Sequence, residues 1–248
     1  MKPADLRRSG RRQLEEHANV DVRHGAVEDV ETTADGFVVT PTEAAPVRAH
    51  AIVLAHGLRY DPPPLPGIDA LWGRSVFHCA FCDGWEVRDR PLAFHGSGPG
   101  AVRSALVLAG WSNEVVLCTD GAPDPGGPLL AAAGVRVRTE PIARLDGTDG
   151  RLTQIAFSHG PAERRAALFV NTRRDQPNGL AAALGCDLTE AGKIVTDADG
   201  RSNVAGVYAA GDAATAHSRS VANAIGTGSR VAYAVALDRV APVLAAAA

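Results

Sequence analysis

The chain has 248 residues, of which 46% are hydrophobic and 21% charged, with a formal net charge of −3 at pH 7. This composition is typical of a globular protein and excludes a disordered chain, a collagen-like repeat and a strongly basic nucleic-acid-binding protein. No run of about 20 residues is apolar enough to span a membrane, and the N-terminal segment lacks the apolar core of a signal peptide. We therefore expect a cytoplasmic protein with no membrane or nucleic-acid partner.

The first third of the chain predicts a polar helix and short strands. The helix is predicted at residues 3–18, and the strands at residues 20–22, 26–30, 37–40 and 51–55, the last as a buried strand. The segment Tyr60–Gly67 contains three consecutive prolines. Neither a helix nor a central strand accommodates them, so this segment predicts a stiff linker between domains.

Beyond the linker, strands alternate with helices, which is typical of an α/β protein with parallel sheets. The pattern predicts a strand at Leu92–His95, a glycine turn at Gly96–Gly100 and a helix at Ala101–Ala109. Further strands are predicted at residues 114–120, 135–139, 151–160 and 164–171. The last segment has apolar stretches at residues 193–197 and 206–212 and an alanine-rich helix from about residue 218.

Two of the four cysteines are close in sequence, in the segment HCAFCDGWE, where Cys79 and Cys82 are separated by two residues. At a helix N-terminus this spacing brings two sulfurs within disulfide reach, and the helix dipole stabilises a thiolate. The spacing therefore favours a redox dithiol. The alternative is half of a zinc site, but such a site needs four ligands, and Cys118 and Cys186 are solitary. Cys118 lies in an apolar strand and is predicted to be a buried hydrophobic side chain.

Asp83 directly follows the second cysteine. A carboxylate beside a dithiol can carry the proton that thiol–disulfide exchange requires. Alternatively, an aspartate before a glycine is a common turn former. His78 is predicted to serve in packing.

The segment CAFCDG closely resembles the CATCDG active site of bacterial thioredoxin reductases, and later segments resemble this family in order and spacing. The resemblance implies a flavoenzyme that passes electrons between NAD(P)H, FAD and a disulfide substrate. It implies that Cys82 faces the flavin in a charge-transfer pair, that Cys79 exchanges with the substrate, and that Asp83 is the acid/base. It also implies a homodimer, acting on a thioredoxin-like protein or on a small-molecule dithiol or disulfide.

The segment GSGPGA follows a predicted strand and opens a helix, which is the context of a dinucleotide-binding loop. The resemblance to thioredoxin reductases implies that Gly96, Gly98 and Ala101 belong to the nicotinamide-nucleotide site. The alternative is a tight strand–helix turn without a ligand. Asp120 follows the next strand, where family members that use NADPH have basic residues. A carboxylate there repels a 2′-phosphate and suits a ribose hydroxyl.

The segment SNVAGVYAAGDAA, at residues 202–214, resembles the late flavin motif of the same family. Gly211 and Asp212 match its Gly-Asp pair, which binds the ribityl or phosphate region of FAD. The next segment resembles the helix that covers the flavin pyrimidine edge and contains Arg219, Ser220 and Val221, with Ser220 where the family has glutamine. In AIVLAHG, which resembles the strand before the linker, His56 occupies a threonine position.

These observations predict an α/β fold with two Rossmann-like, three-layer domains. An FAD domain is expected at residues 1–64 and 173–248, with an inserted NAD(P) domain at residues 65–172 that carries the dithiol. Family members begin with a strand, a GxGxxG turn and a helix, so the FAD domain is expected to be incomplete. Two alternatives remain open: a small-molecule dithiol oxidase that uses oxygen, which CAFCDGWE also resembles, and a non-enzymatic nucleotide-binding remnant.

Overall fold

The computed structural model describes residues 3–214 and 219–246, which form two compact units. Unit 1 comprises residues 1–59 and 175–248, and unit 2 comprises residues 60–174. The chain enters unit 2 before the proline-rich run, whereas the sequence suggested a boundary within it. Tyr60 is the first residue of unit 2, and its ring stacks on His78 in the same unit, with 4.4 Å between the ring centroids.

The elements are named in chain order. The first are α1 (Pro3–Glu15), β1 (Val27–Thr33), β2 (Gly36–Pro41), β3 (Val47–Ala49), β4 (Ile52–Leu54), β5 (Arg59–Asp61), β6 (Val76–Phe77), α2 (Ala80–Asp83), β7 (Leu92–His95), α3 (Gly98–Ala109) and β8 (Val115–Cys118). The others are α4 (Gly127–Ala132), β9 (Arg136–Arg138), β10 (Ile142–Thr148), β11 (Arg151–Phe157), β12 (Glu163–Arg164), β13 (Ala167–Val170), β14 (Arg173–Asp175), α5 (Leu180–Ala183), β15 (Val207–Ala209) and α6 (Val221–Ala246). Short 3-10 helices span Trp85–Val87 and Gly211–Ala213.

Within the described residues, unit 1 contains an antiparallel sheet, β1–β2–β3, and a parallel pair, β4 and β15, in which Leu54 lies opposite Ala209. The prediction of a buried strand at residues 51–55 is wrong for one face, because 46% of Val53 is exposed. The strand predicted at residues 20–22 is absent, since this exposed segment pairs with no other strand. Helix α6 begins at Val221, and residue 218, where the sequence placed its start, lies outside the described residues.

Unit 2 is built on a five-stranded parallel sheet with the strand order β6–β13–β7–β8–β9. Side chains alternate between its two faces, as the pleat of a strand requires. Leu92, Phe94 and Leu117 pack with the apolar side of α3. Ala93 and Cys118 point to the opposite face and pack against the sheet β10–β11–β12. The α/β class predicted from the sequence is therefore confirmed, and the strand predicted at residues 151–160 lies in this separate antiparallel sheet.

Candidate functional site

The cysteine pair lies at the start of α2 as a disulfide between Cys79 and Cys82, with 5.3 Å between the Cα atoms. Cys79 is the N-cap residue, in an extended conformation with φ −136° and ψ 107°. Its carbonyl oxygen accepts hydrogen bonds of 3.2 Å from the backbone N–H groups of Cys82 and Asp83. These bonds close the turn that holds the two sulfurs together.

The disulfide lies beside two exposed aromatic side chains. Cys82 is exposed and Cys79 is partly buried. Phe81 lies between the two cysteines with 80% of its surface exposed, and Trp85 follows with 61% exposed. The guanidinium carbon of Arg88 lies 3.7 Å from the centre of the Trp85 ring, and its Nη1 donates a 2.7 Å hydrogen bond to the Trp85 carbonyl oxygen.

Asp83 ends α2 and is half-buried. Burial raises the pKa of its carboxyl group above the ordinary value, and the negative charge of Glu86 raises it further. Gly84 closes the turn against Trp111, because a Cβ atom at this glycine would lie 2.7 Å from the indole Nε1. His78 packs against Tyr60 and Trp72, which agrees with the packing role predicted for it.

The other two cysteines are buried, Cys118 in unit 2 and Cys186 in unit 1. Cys118 has no exposed surface, and burial raises the pKa of its thiol to about 12. Cys186 is also buried, which raises the pKa of its thiol. The prediction that Cys118 is a buried hydrophobic side chain is thus confirmed. Across residues 3–214 and 219–246, no group of three or more histidine, cysteine, aspartate or glutamate side chains could hold a metal ion.

The glycine loop joins β7 to α3 in unit 2. Gly96 has φ +154°, and a Cβ atom there would lie 2.9 Å from Nδ2 of Asn171. Gly98 has φ +73° with open space where a Cβ would be, so a ligand can approach its backbone. Ala101 is fully buried. In a dinucleotide-binding loop the first glycine makes a tight turn, the second lets the ligand approach the backbone, and the third position packs closely against the strand. Gly96, Gly98 and Ala101 meet these three requirements, so the loop fits a pyrophosphate.

Asp120 lies after β8, beside the loop, with φ +52°. Its Oδ1 accepts a 2.7 Å hydrogen bond from the backbone N–H of Ile142, and its Oδ2 lies 3.4 Å from Nε2 of His95. Nδ1 of His95 is buried and has no hydrogen-bond partner among the described residues. The sequence predicted Asp120 at this edge of the sheet but missed His95, whose position directly before the first glycine was the available signal.

In unit 1, the Gly-Asp pair lies at the carboxyl end of β15. Gly211 has φ +65°, and its N–H donates a 3.0 Å hydrogen bond to Oγ1 of Thr227 on α6. His56 follows the neighbouring strand β4, with Nδ1 3.2 Å from the Gly57 carbonyl oxygen. Its Nε2 is buried and has no hydrogen-bond partner within the described part of the chain.

Asp212 lies in the 3-10 helix that follows β15. Arg219, Ser220 and Val221 are exposed at the start of α6, where Ser220 Oγ accepts a 3.1 Å hydrogen bond from the N–H of Asn223. Ser220 therefore serves as the N-cap of this helix. Carboxyl ends of neighbouring parallel strands are where open α/β sheets bind ligands. With the orphaned nitrogen of His56, these residues fit a nucleotide cofactor.

An ion-pair network that the sequence did not predict lies in unit 2, around Glu163. Arg136 donates two hydrogen bonds to its carboxylate, of 3.0 and 2.8 Å, and Arg138 donates one of 3.1 Å. Arg165 donates a further short bond. These contacts lower the pKa of Glu163 to about 2, the hydrogen bond from Arg136 having the largest effect.

Comparisons with known proteins identify the family of the chain. A family model described as pyridine nucleotide-disulphide oxidoreductase matches residues 3–228. The thioredoxin reductase tcpT of Claviceps purpurea (strain 20.1) is 29% identical over 240 residues, covering 91% of this chain and 74% of that protein.

Two solved structures are similar over nearly the whole chain. HlmI has 34% identity and a TM-score of 0.91, covering 100% of this chain and 79% of its own. The Bacillus anthracis structure described as a thioredoxin reductase, TrxB, has 27% identity and a TM-score of 0.89, covering 96% of this chain and 81% of its own. Over its described residues, the protein has no helix of the length and apolarity that crossing a membrane requires.

Proposed function

The chain belongs to the pyridine nucleotide-disulphide oxidoreductase family, and on that premise we propose that it is a flavin-dependent thiol–disulfide oxidoreductase of the thioredoxin reductase type. Electrons pass between NAD(P)H, FAD, the Cys79/Cys82 pair and a disulfide substrate. The observation that carries this proposal is the Cys79–Cys82 disulfide at the start of α2, with the half-buried Asp83 directly after it.

The exchange uses both sulfurs of the reduced pair. The thiolate of Cys79 attacks the substrate disulfide, whose S–S bond breaks, so that one substrate sulfur leaves as a thiolate and the other forms a mixed disulfide. The thiolate of Cys82 then attacks Sγ of Cys79, re-forms the internal disulfide and releases the second substrate thiolate. The substrate gains two electrons and the protein dithiol loses two.

Asp83 holds a proton for this exchange. A carboxyl group whose pKa is raised binds a proton at a higher pH than an ordinary aspartate. Burial is the main cause of the shift, and the charge of Glu86 adds to it. Asp83 can therefore protonate a leaving thiolate and take the proton back from an attacking thiol.

FAD, when bound, supplies a carrier of two electrons between a nicotinamide and the dithiol. We assign its binding to Gly211 and Asp212, and to Arg219, Ser220 and Val221 at the start of α6. The positive φ of Gly211 and the orphaned Nε2 of His56 at the same strand ends support this assignment. Cys82 is the cysteine that we place nearer the cofactor in this scheme.

The nicotinamide nucleotide is assigned to Gly96, Gly98 and Ala101, with its pyrophosphate at the N-terminus of α3. Asp120 places a carboxylate at the end of β8, where it repels a 2′-phosphate and accepts a hydrogen bond from a ribose hydroxyl. We therefore expect NADH to bind more tightly than NADPH.

The test begins with the purified chain, which is mixed with FAD, separated from free FAD, and then reduced and mixed with a disulfide. We expect retained flavin absorbance and two thiols that re-oxidise with the substrate. The matched control is Cys79→Ser, which should retain the flavin and lose the exchange. A folded chain that retains no flavin and exchanges with no disulfide would instead be the non-enzymatic remnant. Light scattering tests the homodimer that the family resemblance implies.

A second candidate function is a small-molecule dithiol oxidase, which the segment CAFCDGWE also resembles. The carboxylate of Asp120 favours it over a reductase that depends on NADPH, because the carboxylate opposes binding of the 2′-phosphate. In that reaction a dithiol substrate loses two electrons and two protons to become a disulfide, and oxygen gains them to become hydrogen peroxide. Rapid bleaching of the flavin by NADH or by NADPH would contradict this candidate. Oxygen uptake that depends on an added dithiol, with peroxide as product, would support it.

A further inference from the structure

A histidine ends β7, directly before the first glycine of the nucleotide loop. The three residues before it, 92–94, are buried and apolar, as expected for a central parallel strand. His95 continues the strand between β8 and β13, opposite Cys118 and Val170, and its side chain is only 13% exposed. A polar ring in such an apolar setting is unfavourable unless it has a hydrogen-bond partner.

The carboxylate of Asp120 is the partner that the structure gives this ring. Nε2 of His95 lies 3.4 Å from Oδ2 of Asp120. A carboxylate only accepts hydrogen bonds, so Nε2 carries the proton and donates it. Nδ1 is buried and has no partner among the described residues. Because a second proton on Nδ1 would be buried without an acceptor, the ring orients the carboxylate without cancelling its negative charge.

Asp120 is also held by the neighbouring strands. Its Oδ1 accepts a 2.7 Å hydrogen bond from the backbone N–H of Ile142, at the start of β10. The backbone N–H groups of the residues before and after it donate bonds of 2.8 and 2.7 Å to the carbonyl oxygens of residues 138 and 139. The side chain is nevertheless 35% exposed, and a carboxylate oxygen that accepts one hydrogen bond has a lone pair left. The carboxylate is therefore fixed in one orientation and can still accept a hydrogen bond from a ligand.

We propose that His95 is a positioning residue of the nucleotide site: its Nε2–H holds the Asp120 carboxylate in the orientation that accepts a hydrogen bond from a ribose hydroxyl, and thereby sets the preference for the nucleotide without a 2′-phosphate. This inference rests on the proposed function and adds one residue to its nucleotide site. An acceptor that is held in place in advance loses less conformational entropy when the ligand binds. Because the carboxylate keeps its charge, the group that binds a 2′-hydroxyl also repels a 2′-phosphate.

The test measures binding of NAD⁺ and NADP⁺ to the full chain by calorimetry, because the oxidised nucleotides transfer no hydride during the measurement. In His95→Gln the amide nitrogen takes the place of Nε2, whereas in His95→Asn it takes the place of Nδ1 and does not reach Asp120. We expect His95→Asn to raise the Kd for NAD⁺ about three- to tenfold, the range of one hydrogen bond, and to change that for NADP⁺ by less than about twofold. His95→Gln should keep both Kd values within about twofold of wild type, since the donor is retained.

Repeating the comparison in an Asp120→Ala background separates positioning from packing. The acceptor is absent there, so His95→Asn should change the Kd for NAD⁺ by less than about twofold, whereas a packing role would cost the same in both backgrounds. His159→Asn is the control for the substitution itself, because this histidine is exposed after β11 in the same unit, and it should change neither Kd. Urea unfolding followed by tryptophan fluorescence establishes that each variant is folded.

Equal losses of affinity for NAD⁺ in the two backgrounds would overturn the inference, because His95 would then act without Asp120. A loss in His95→Gln as large as that in His95→Asn would also overturn it, since the donor at Nε2 would not be the group that matters. An unchanged Kd in His95→Asn has the same consequence. A wild-type chain that binds neither nucleotide would contradict the nucleotide site of the proposed function and, with it, this inference. The first three outcomes leave the proposed function intact.

Discussion

We expect Glu163→Gln to lower the free energy of unfolding of unit 2, and to lower it more than the substitution of a neighbouring carboxylate, Glu140→Gln. Its side chain is 14% exposed, and it compensates Arg138 and Arg165, which are 12% and 5% exposed. Nη2 of Arg138 and Nε of Arg165 are buried with no hydrogen-bond partner among the described residues. Without the carboxylate, the buried Arg165 would lose its hydrogen-bonded counter-charge and Arg138 would be left with that of Glu140, which is strongly unfavourable.

The pKa of Glu163 gives the magnitude. Its value falls from 4.5 to about 2 on folding, so ionised Glu163 contributes about 3 kcal/mol to the free energy of unfolding at neutral pH. Because the folded-state pKa is lowered, this stability is present above pH 4.5 and is lost as the pH falls through 2. At pH 3 less than half remains, about 1 kcal/mol.

Urea unfolding followed by tryptophan fluorescence measures this effect selectively, because all three tryptophans, at positions 72, 85 and 111, lie in unit 2. We expect Glu163→Gln to lower the free energy of unfolding by about 3 kcal/mol at pH 7 and by about 1 kcal/mol at pH 3. The matched control is Glu140→Gln, which removes a carboxylate that is 34% exposed and also bonds Arg138. It should lower the free energy of unfolding clearly less than Glu163→Gln does. A Glu163→Gln loss below that of the control, or one that does not change between pH 7 and pH 3, would refute the reasoning.

Three further predictions concern the thiols and the nucleotide loop. In the folded, reduced chain, iodoacetamide should label Cys79 and Cys82 at pH 8 but leave the buried Cys118 and Cys186 unlabelled until urea unfolds the protein. Peptide mass spectrometry measures the labelling, and labelling of Cys118 before unfolding would contradict this prediction. Gly96→Ala should raise the Kd for NADH about tenfold, because the side chain would meet Asn171 at a positive φ that costs about 1–3 kcal/mol. The control variant is Gly100→Ala, whose Kd for NADH, measured by calorimetry, should equal that of the wild-type chain because a Cβ there meets nothing within 4 Å. If both variants lose the same affinity for NADH, the turn geometry is not the cause. Asp120→Asn should improve NADPH binding relative to NADH about fivefold by removing one repelling charge, while an unchanged ratio would place the 2′-phosphate elsewhere.

The parts of unit 2 that could be predicted from the sequence are those whose pattern lies within a few consecutive residues. The run Leu92–His95 has the apolar continuity of a buried parallel strand, and the glycines after it have conformations that favour glycine. Their order along the chain was enough to predict β7, the loop and α3. The cysteine spacing was equally local, so the disulfide site could be located without knowing what packs around it.

The features that the sequence did not predict depend on residues far apart in the chain. Glu163 is 27 residues from Arg136 and 25 from Arg138, and no periodicity connects them. Val53 lies in an apolar run, yet its exposure depends on what covers one face of β4 rather than on its neighbours in sequence. Similarly, Val20 is apolar enough for a strand but has no strand to pair with.

The pairing of β5 with β14 affects the order in which the chain can assemble. These two strands carry the chain into and out of unit 2, so the ends of residues 60–174 are adjacent once that unit has folded. Joining the two halves of unit 1 across an unfolded loop of this length costs about 4 kcal/mol of chain entropy. A folded unit 2 has already brought those halves together. Folding of unit 2 therefore favours closure of the discontinuous unit 1, and we expect mutations that delay the folding of unit 2 to delay that of unit 1 as well.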